Sequence, residues 1–197
     1  MSTLKVNSII PVAGVPTGGG GGIIQVLTNS TRDSQGSVSL ANNRSYSAVP
    51  NQNVTITPTS NTSKILISFQ QLGEFDFSGH MADFVIERAI SGGATTNITG
   101  NLGSNTNGSS VFTQPLNTYH GDDNDTTLEI AHCSNYLDSP STSSAVTYTI
   151  KVRQNEGGSG NFYYNRTVRG DNNNHSEYGL SWITVMEVSA WLLPCII

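Results

Sequence analysis

Four histidines, two cysteines and one acidic run are the residues of this chain best equipped for chemistry, and their spacing limits what each can do. His80, His120, His132 and His175 show neither the HExxH spacing nor a Cys-x2-Cys pair with a histidine partner, the patterns that gather zinc ligands. His132 and Cys133 are adjacent, so on a strand they point to opposite faces and cannot ligate one ion together. No local signature marks Cys133 as a nucleophile, and it reads as a small buried hydrophobe. The run Gly121-Asp122-Asp123-Asn124-Asp125 offers the oxygen ligands a hard cation such as calcium takes. It lacks the spaced glycine and distal glutamate of an EF-hand, so a solvated turn is the plainer reading. Glu74 and Asp76 would share one face of a strand, and they form a carboxylate pair in form only. Glycoside hydrolysis needs two carboxylates about 5–10 Å apart across a sugar, and no pattern here brings a second one in. The expectation is therefore a protein that is not an enzyme and carries no metal or cofactor.

Binding is the remaining chemistry. Tyrosine and tryptophan rings stack on the apolar face of a sugar while amides and carboxylates take its hydroxyls. Tyr119 and His120 beside Asp122, Asp123 and Asp125, and Tyr178 after Asp171-Asn172-Asn173-Asn174, sit in or flank loops and are the candidate receptor contacts. Tyr163 and Trp182 fall inside strand patterns, where a core or subunit-interface role is the simpler expectation.

Loops need a scaffold, and composition says which kind. The chain has 197 residues, of which only 12% are charged, with 9 Lys+Arg against 14 Asp+Glu and a net charge of −5. Ser, Thr and Asn make up about a third of it, well above the usual share. These residues suit turns and strand surfaces and are mediocre in helices. So few basic residues leave no electrostatic footprint for nucleic acid. No apolar run reaches the ~18 residues of a membrane helix, and MSTLKVNSII has no signal-peptide apolar core. Two cysteines make no disulfide framework.

Strand patterns follow one another: Ile23–Leu27, Val54–Thr57, Ser63–Gln71, Asp83–Ile90, Thr127–Cys133, Ala145–Arg153, Asn161–Val168 and Leu180–Val188. In SKILISFQQ, Ile65, Ile67 and Phe69 alternate onto one face. DFVIERAI could open a helix, but Ser91-Gly92-Gly93 stops it too soon. Gly92-Gly93, residues 100–110, residues 121–125 and residues 157–160 punctuate the strands. Eight or more short strands without an amphipathic helix predict an all-β fold, an antiparallel jelly-roll sandwich with an extended N-terminal arm.

The divisions are residues 1–17 as an arm, 18–22 as a GGGGG linker, 23–188 as the β body and 189–197 as an apolar tail. Each glycine loses the most backbone entropy on ordering, so the linker behaves as a coil spanning about 12 Å. The arm is not a polar tail: Leu4 and Val6 alternate with polar residues, and Ile9, Ile10 and Val12 follow around prolines. It either folds back on its own body or docks on a partner by strand addition. The tail SAWLLPCII, with Trp191, Leu192, Leu193, Ile196 and Ile197, would be a liability if exposed and is expected to pack in an oligomer.

MSTLKVNSI, GGIIQV, SKILISF, YLDSP followed by SAVTYTIKV, and NFYYNRTV with SWITVMEV occur in order along the chain. Together they resemble tail-fibre or spike-type virion proteins of bacteriophages, common in phages of aquatic bacteria, whose terminal knob is a jelly roll of the tumour-necrosis-factor or complement-C1q kind. The resemblance implies a homotrimer without enzymatic activity, located in the virion and assembled in the host cytoplasm. It implies that the arm attaches to another virion protein of the tail, baseplate or capsid, and that a distal knob is displayed, with host-surface glycan as its candidate ligand.

Between arm and knob there are no heptads, collagen-like triplets or shaft repeats, which favours a short spike, a head fibre or a capsid decoration over a long fibre. A free-standing carbohydrate-binding lectin is the alternative from a different class. Neither nucleic-acid binding nor membrane insertion is expected.

Overall fold

The computed structural model describes residues 22–31, 34–41, 45–76, 82–98, 128–154, 159–169 and 177–189, and these form ten strands without a helix. The strands are β1 (Ile23–Ser30), β2 (Gly36–Leu40), β3 (Ser47–Ile56), β4 (Lys64–Phe75), β5 (Ala82–Ile90), β6 (Thr95–Asn97), β7 (Glu129–Asp138), β8 (Val146–Gln154), β9 (Gly160–Tyr164) and β10 (Trp182–Val188).

They form two antiparallel sheets. In the first, β1 pairs β10, β10 pairs β4, and β7 lies on the other side of β4. Past Leu72, β4 exchanges β10 for β9, which carries β2 at its far edge. That exchange is made at Gly73, where a Cβ would come within 2.3 Å of the Tyr163 carbonyl and 2.4 Å of the Phe162 ring, so only glycine lets the strands approach. The second sheet has the order β3-β8-β5-β6. The arrangement is an all-β sandwich, and an order with β1, β10, β4 and β7 facing β3, β8, β5 and β6 is compatible with a jelly roll.

The period-two patterns put the core where the sequence predicts it. Ile65, Ile67 and Phe69 of β4 are buried against Ile183 and Val185 of β10, and Val146, Tyr148, Ile150 and Val152 of β8 line the opposite sheet with Phe84 and Ile86 of β5. Phe75, Phe84 and Phe162 meet in one aromatic cluster, with Phe84 and Phe162 edge to face at 5.5 Å. Each such ring or branched side chain removed from water contributes about 1.5–3 kcal/mol before conformational entropy is charged against it.

Several observed strands depart from the predicted ones, β3 among them, which begins at Ser47 where the pattern begins at Val54. GSVSL and TTN, too short and polar to show a pattern, form β2 and β6 as edge strands. The Thr127–Cys133 pattern extends to Asp138 across a bulge opposite Ile67 and Phe69. The Asn161–Val168 pattern stops at Tyr164, because Asn165 turns into the left-handed region with φ 58°. DFVIERAI is a strand, as the sequence predicts, and Gly92 at φ 72° turns it back into β6.

Candidate functional site

The two ends of the described body lie side by side. Ser189 N–H donates to the Gly22 carbonyl at 3.1 Å, and Gly22 N–H donates to Ser189 Oγ at 3.0 Å. Residues before Gly22 and after Ser189 therefore start from one end of the sandwich. That end is otherwise closed by the β3–β4, β5–β6 and β7–β8 connections, residues 57–63, 91–94 and 139–145. The opposite end carries the ends of β2, β4 and β8 and the starts of β5 and β9. The chain leaves β6 at Asn97, beside Glu87, and rejoins the sheets at Glu129, beside Gly73; it leaves β9 at Tyr164, beside Gly73, and rejoins at Trp182, beside Gln70, so the β9–β10 connection departs from part-way along β4.

At the terminal end β1 is fixed by polar side chains rather than by apolar packing. Glu187 is fully buried on β10 and accepts from Gln25 Nε2 at 2.6 Å and from Thr59 N–H and Oγ1, each at 2.7 Å, with Ser63 as a further donor. Burial alone would raise its pKa, but the donors from Ser63, Thr59 and Gln25 outweigh it and hold the carboxyl below the usual glutamate value. Gln25 Nε2 also reaches Thr57 O, while Asn29 Nδ2 donates to Asn51 O and Asn53 O. These amides close the open side of the sandwich between β1 and β3.

Part-way along β4, where Asn165 N–H donates to the Leu72 carbonyl, Asn165 is the hub. Its side-chain amide lies 2.7 Å from Thr31 Oγ1 and 2.7 Å from Ser34 O, and its Oδ1 accepts from Ser181 N–H and Ser181 Oγ. It joins the β1–β2 turn to the entrance of β10. Among the described residues, ion pairs tie strands of the body: Arg88–Asp138 at 2.8 Å, Lys151–Glu87 at 2.8 Å and Arg153–Asp83 at 2.7 Å. Tyr148 also donates to Asp138 Oδ2 at 2.7 Å, and burial, with Asp138 next, pushes the phenol pKa far up.

Of the residues nominated from the sequence, Tyr178 is described. It forms an isolated bridge with Arg166 in the long β9–β10 connection and is 47% exposed. Tyr119, His120, Asp122, Asp123 and Asp125 lie outside the described residues, as do the arm residues Leu4, Val6, Ile9, Ile10 and Val12 and the tail residues Trp191, Leu192, Leu193, Ile196 and Ile197.

His132 is exposed on β7 and Cys133 is buried beside it, on the opposite face as their adjacency requires. Burial raises the Cys133 thiol pKa, which disfavours the thiolate a nucleophile needs. Glu74 and Asp76 are occupied separately: Glu74 accepts from Val168 N–H at 2.6 Å, and Asp76 accepts from Asn161 N–H and Nδ2. Among the described residues, no group of three or more His, Cys, Asp and Glu is arranged to hold a metal ion. An open polar hollow of about 400 Å3 is lined by Ser39, Leu40, Asp76, Ser159, Gly160 and Asn161.

Tyr163 is half-buried beneath the Arg166 guanidinium, 4.6 Å from the ring centroid, and Trp182 stands half-buried on the outer face of its sheet. Searched against protein-family models and curated proteins, the chain matches none of them. Gln25, Asn29, Asn165 and Glu187, which tie β1 to β3 and to β10, carry no sequence signature beyond being polar residues in or beside strand patterns.

Proposed function

We propose that this chain is a bacteriophage virion structural protein, a short tail fibre, spike or head fibre. It docks on the particle through residues 1–17 and displays a homotrimeric jelly-roll knob, with host-surface glycan as the candidate ligand of the knob. The observation that carries this reading is that the two ends of the described body lie together at one end of the sandwich. The chain that leads in from the arm enters there, beside Ser189. Tyr178, in the β9–β10 connection beside Arg166, departs from part-way along β4, away from that end. A molecule that attaches at one end leaves such a connection free for display.

The strand order supports the jelly-roll form, since β1 pairs with β10, the last strand, as two wound Greek keys require. The resemblance of its ordered phrases to those of phage fibre and spike proteins suggests the virion context. A capsid decoration role uses the same arm and leaves the loops idle. A free lectin uses the loops and leaves the arm idle.

Mixing the full chain and a chain lacking residues 1–17 with particles deficient in this protein, followed by sedimentation, tests the reading. The full chain is expected to sediment with the particles and the shortened chain to stay in solution. Equal behaviour of the two, with sugar binding retained, would replace the virion role with a free lectin.

A further inference from the structure

At the end of the sandwich away from Gly22 and Ser189, β9 runs between β2 and β4, and the register brings three polar side chains into one line. Ser39 of β2 stands opposite Asn161. Asp76, just past β4, meets Asn161 from the other side, and its N–H donates to the Asn161 carbonyl at 3.2 Å. The alternate residues Leu40, Phe75 and Phe162 turn into the core, which sets Ser39, Asn161 and Asp76 on the outer face.

The hydrogen bonds along this line run in one direction. Ser39 Oγ donates to Asn161 Oδ1 at 3.0 Å, and Asn161 Nδ2 donates to Asp76 Oδ2 at 2.7 Å. The Asn161 N–H donates to Asp76 Oδ1 at 2.6 Å. That order fixes which way the amide points and leaves defined groups free. A carboxylate has about four acceptor sites, so each Asp76 oxygen retains one, while Asn161 keeps an amide N–H and Ser39 Oγ keeps its lone pairs. These groups border the open hollow of about 400 Å3, whose rim Leu40, Ser159 and Gly160 complete. A hollow of that volume is within the range of small-ligand sites.

One row along the same face, Tyr163 of β9 stands between Ser37 and Glu74. The Arg166 guanidinium lies 4.6 Å from its ring centroid and also donates to the Thr167 and Val168 carbonyls. Ring and cation therefore hold each other in place, as diagonal neighbours of the polar line.

We propose that the line Ser39–Asn161–Asp76 is a binding site for a neutral sugar, which it takes by two adjacent hydroxyls. The proposal rests on the glycan part of the reading above and names the residues that recognise it. A hydroxyl is donor and acceptor at once. One donates to Asp76 and accepts the free Asn161 N–H, and its neighbour donates to Ser39 Oγ. A metal ion suits the site less well: it holds one carboxylate whose two oxygens already accept N–H groups, and among the described residues no further acid joins it. An acidic sugar would meet the Asp76 charge in a chain of net charge −5, with Arg166 already engaged.

Saturation-transfer NMR of the full chain tests the site, with the methyl glycosides of mannose, galactose and glucose as neutral probes and N-acetylneuraminic acid as the acidic one. The parent is expected to transfer saturation to at least one neutral glycoside and not to the acid. Asp76→Ala and Asn161→Ala are each expected to raise the dissociation constant at least about tenfold. Ser39→Ala, at an exposed strand position, is expected to raise it about threefold. Thr95→Ala, on the exposed edge of the other sheet, is expected to bind as the parent does. Far-UV circular dichroism checks folding, and should Asp76→Ala misfold, Ser39→Ala asks the same question without breaking the β4–β9 contact.

Neutral-sugar binding that survives all three substitutions would overturn the site and leave the glycan reading standing, with the ligand elsewhere on the knob. Binding of N-acetylneuraminic acid alone would overturn the neutral class. A parent silent to all four probes would overturn the proposal, while docking on the particle is decided separately by the deletion of residues 1–17.

Discussion

Glu187, with no accessible surface, accepts a 2.6 Å hydrogen bond from Gln25 Nε2, and through it the last strand holds the first. Thr59 donates to the same carboxylate from both its backbone N–H and its hydroxyl, so the turn that follows β3 is held as well. A buried carboxylate without a cation persists here because the donors replace the water it lost.

Glu187→Ala leaves those donors facing a void and is expected to destabilise the fold by about 3 kcal/mol, measured by urea denaturation. The acid dependence follows from its lowered pKa. A carboxyl whose folded value lies below its ordinary 4.5 contributes its full stabilisation above that value and loses it as pH falls through the folded one. Glu187→Gln is therefore expected to flatten the acid limb of a stability-against-pH curve. An unchanged limb in that variant would show that other carboxyls set it.

Asn165 combines a left-handed backbone, φ 58°, with a fully engaged side-chain amide. Asn165→Gly keeps the backbone preference and loses the side-chain bonds, whereas Asn165→Ala loses both. The expected costs are about 2 kcal/mol for glycine and about 1 kcal/mol more for alanine, read from denaturation midpoints. The two variants behaving alike would show that the φ angle costs nothing here.

Asp138 takes two donors from different strands, Arg88 Nη1 at 2.8 Å from β5 and Tyr148 Oη at 2.7 Å from β8. Tyr148→Phe removes one neutral donor and is expected to cost about 1–2 kcal/mol. Arg88→Met leaves the carboxylate buried with the phenol alone and is expected to cost about 3 kcal/mol or more. The double variant should cost less than the sum of the singles, since both act on one carboxylate, and thermal or urea unfolding of the four proteins measures the difference.

The alternation in SKILISFQQ and AVTYTIKVR made β4 and β8 legible, because a sheet buried on one face writes its geometry into every second residue. β1 was legible as a strand in IIQVL but not as an edge. Its inward positions Gln25, Leu27 and Asn29 are partly polar and its outward Ile24 and Val26 are apolar, the reverse of an ordinary surface strand. The line of Ser39, Asn161 and Asp76 was hidden for a different reason: the three are far apart in the chain, and only the register brings them together. The loop tyrosines could be nominated from composition, but their placement depends on connections with no periodicity to read.

Assembly into a homotrimer is the central claim of the proposed function, and the native mass of the full chain by light scattering tests it most directly. The chain is 21.0 kDa, and a trimer gives about 63 kDa. A mass near that value, stable on dilution, is the predicted result. A single species at the mass of one chain across the same concentrations would contradict it.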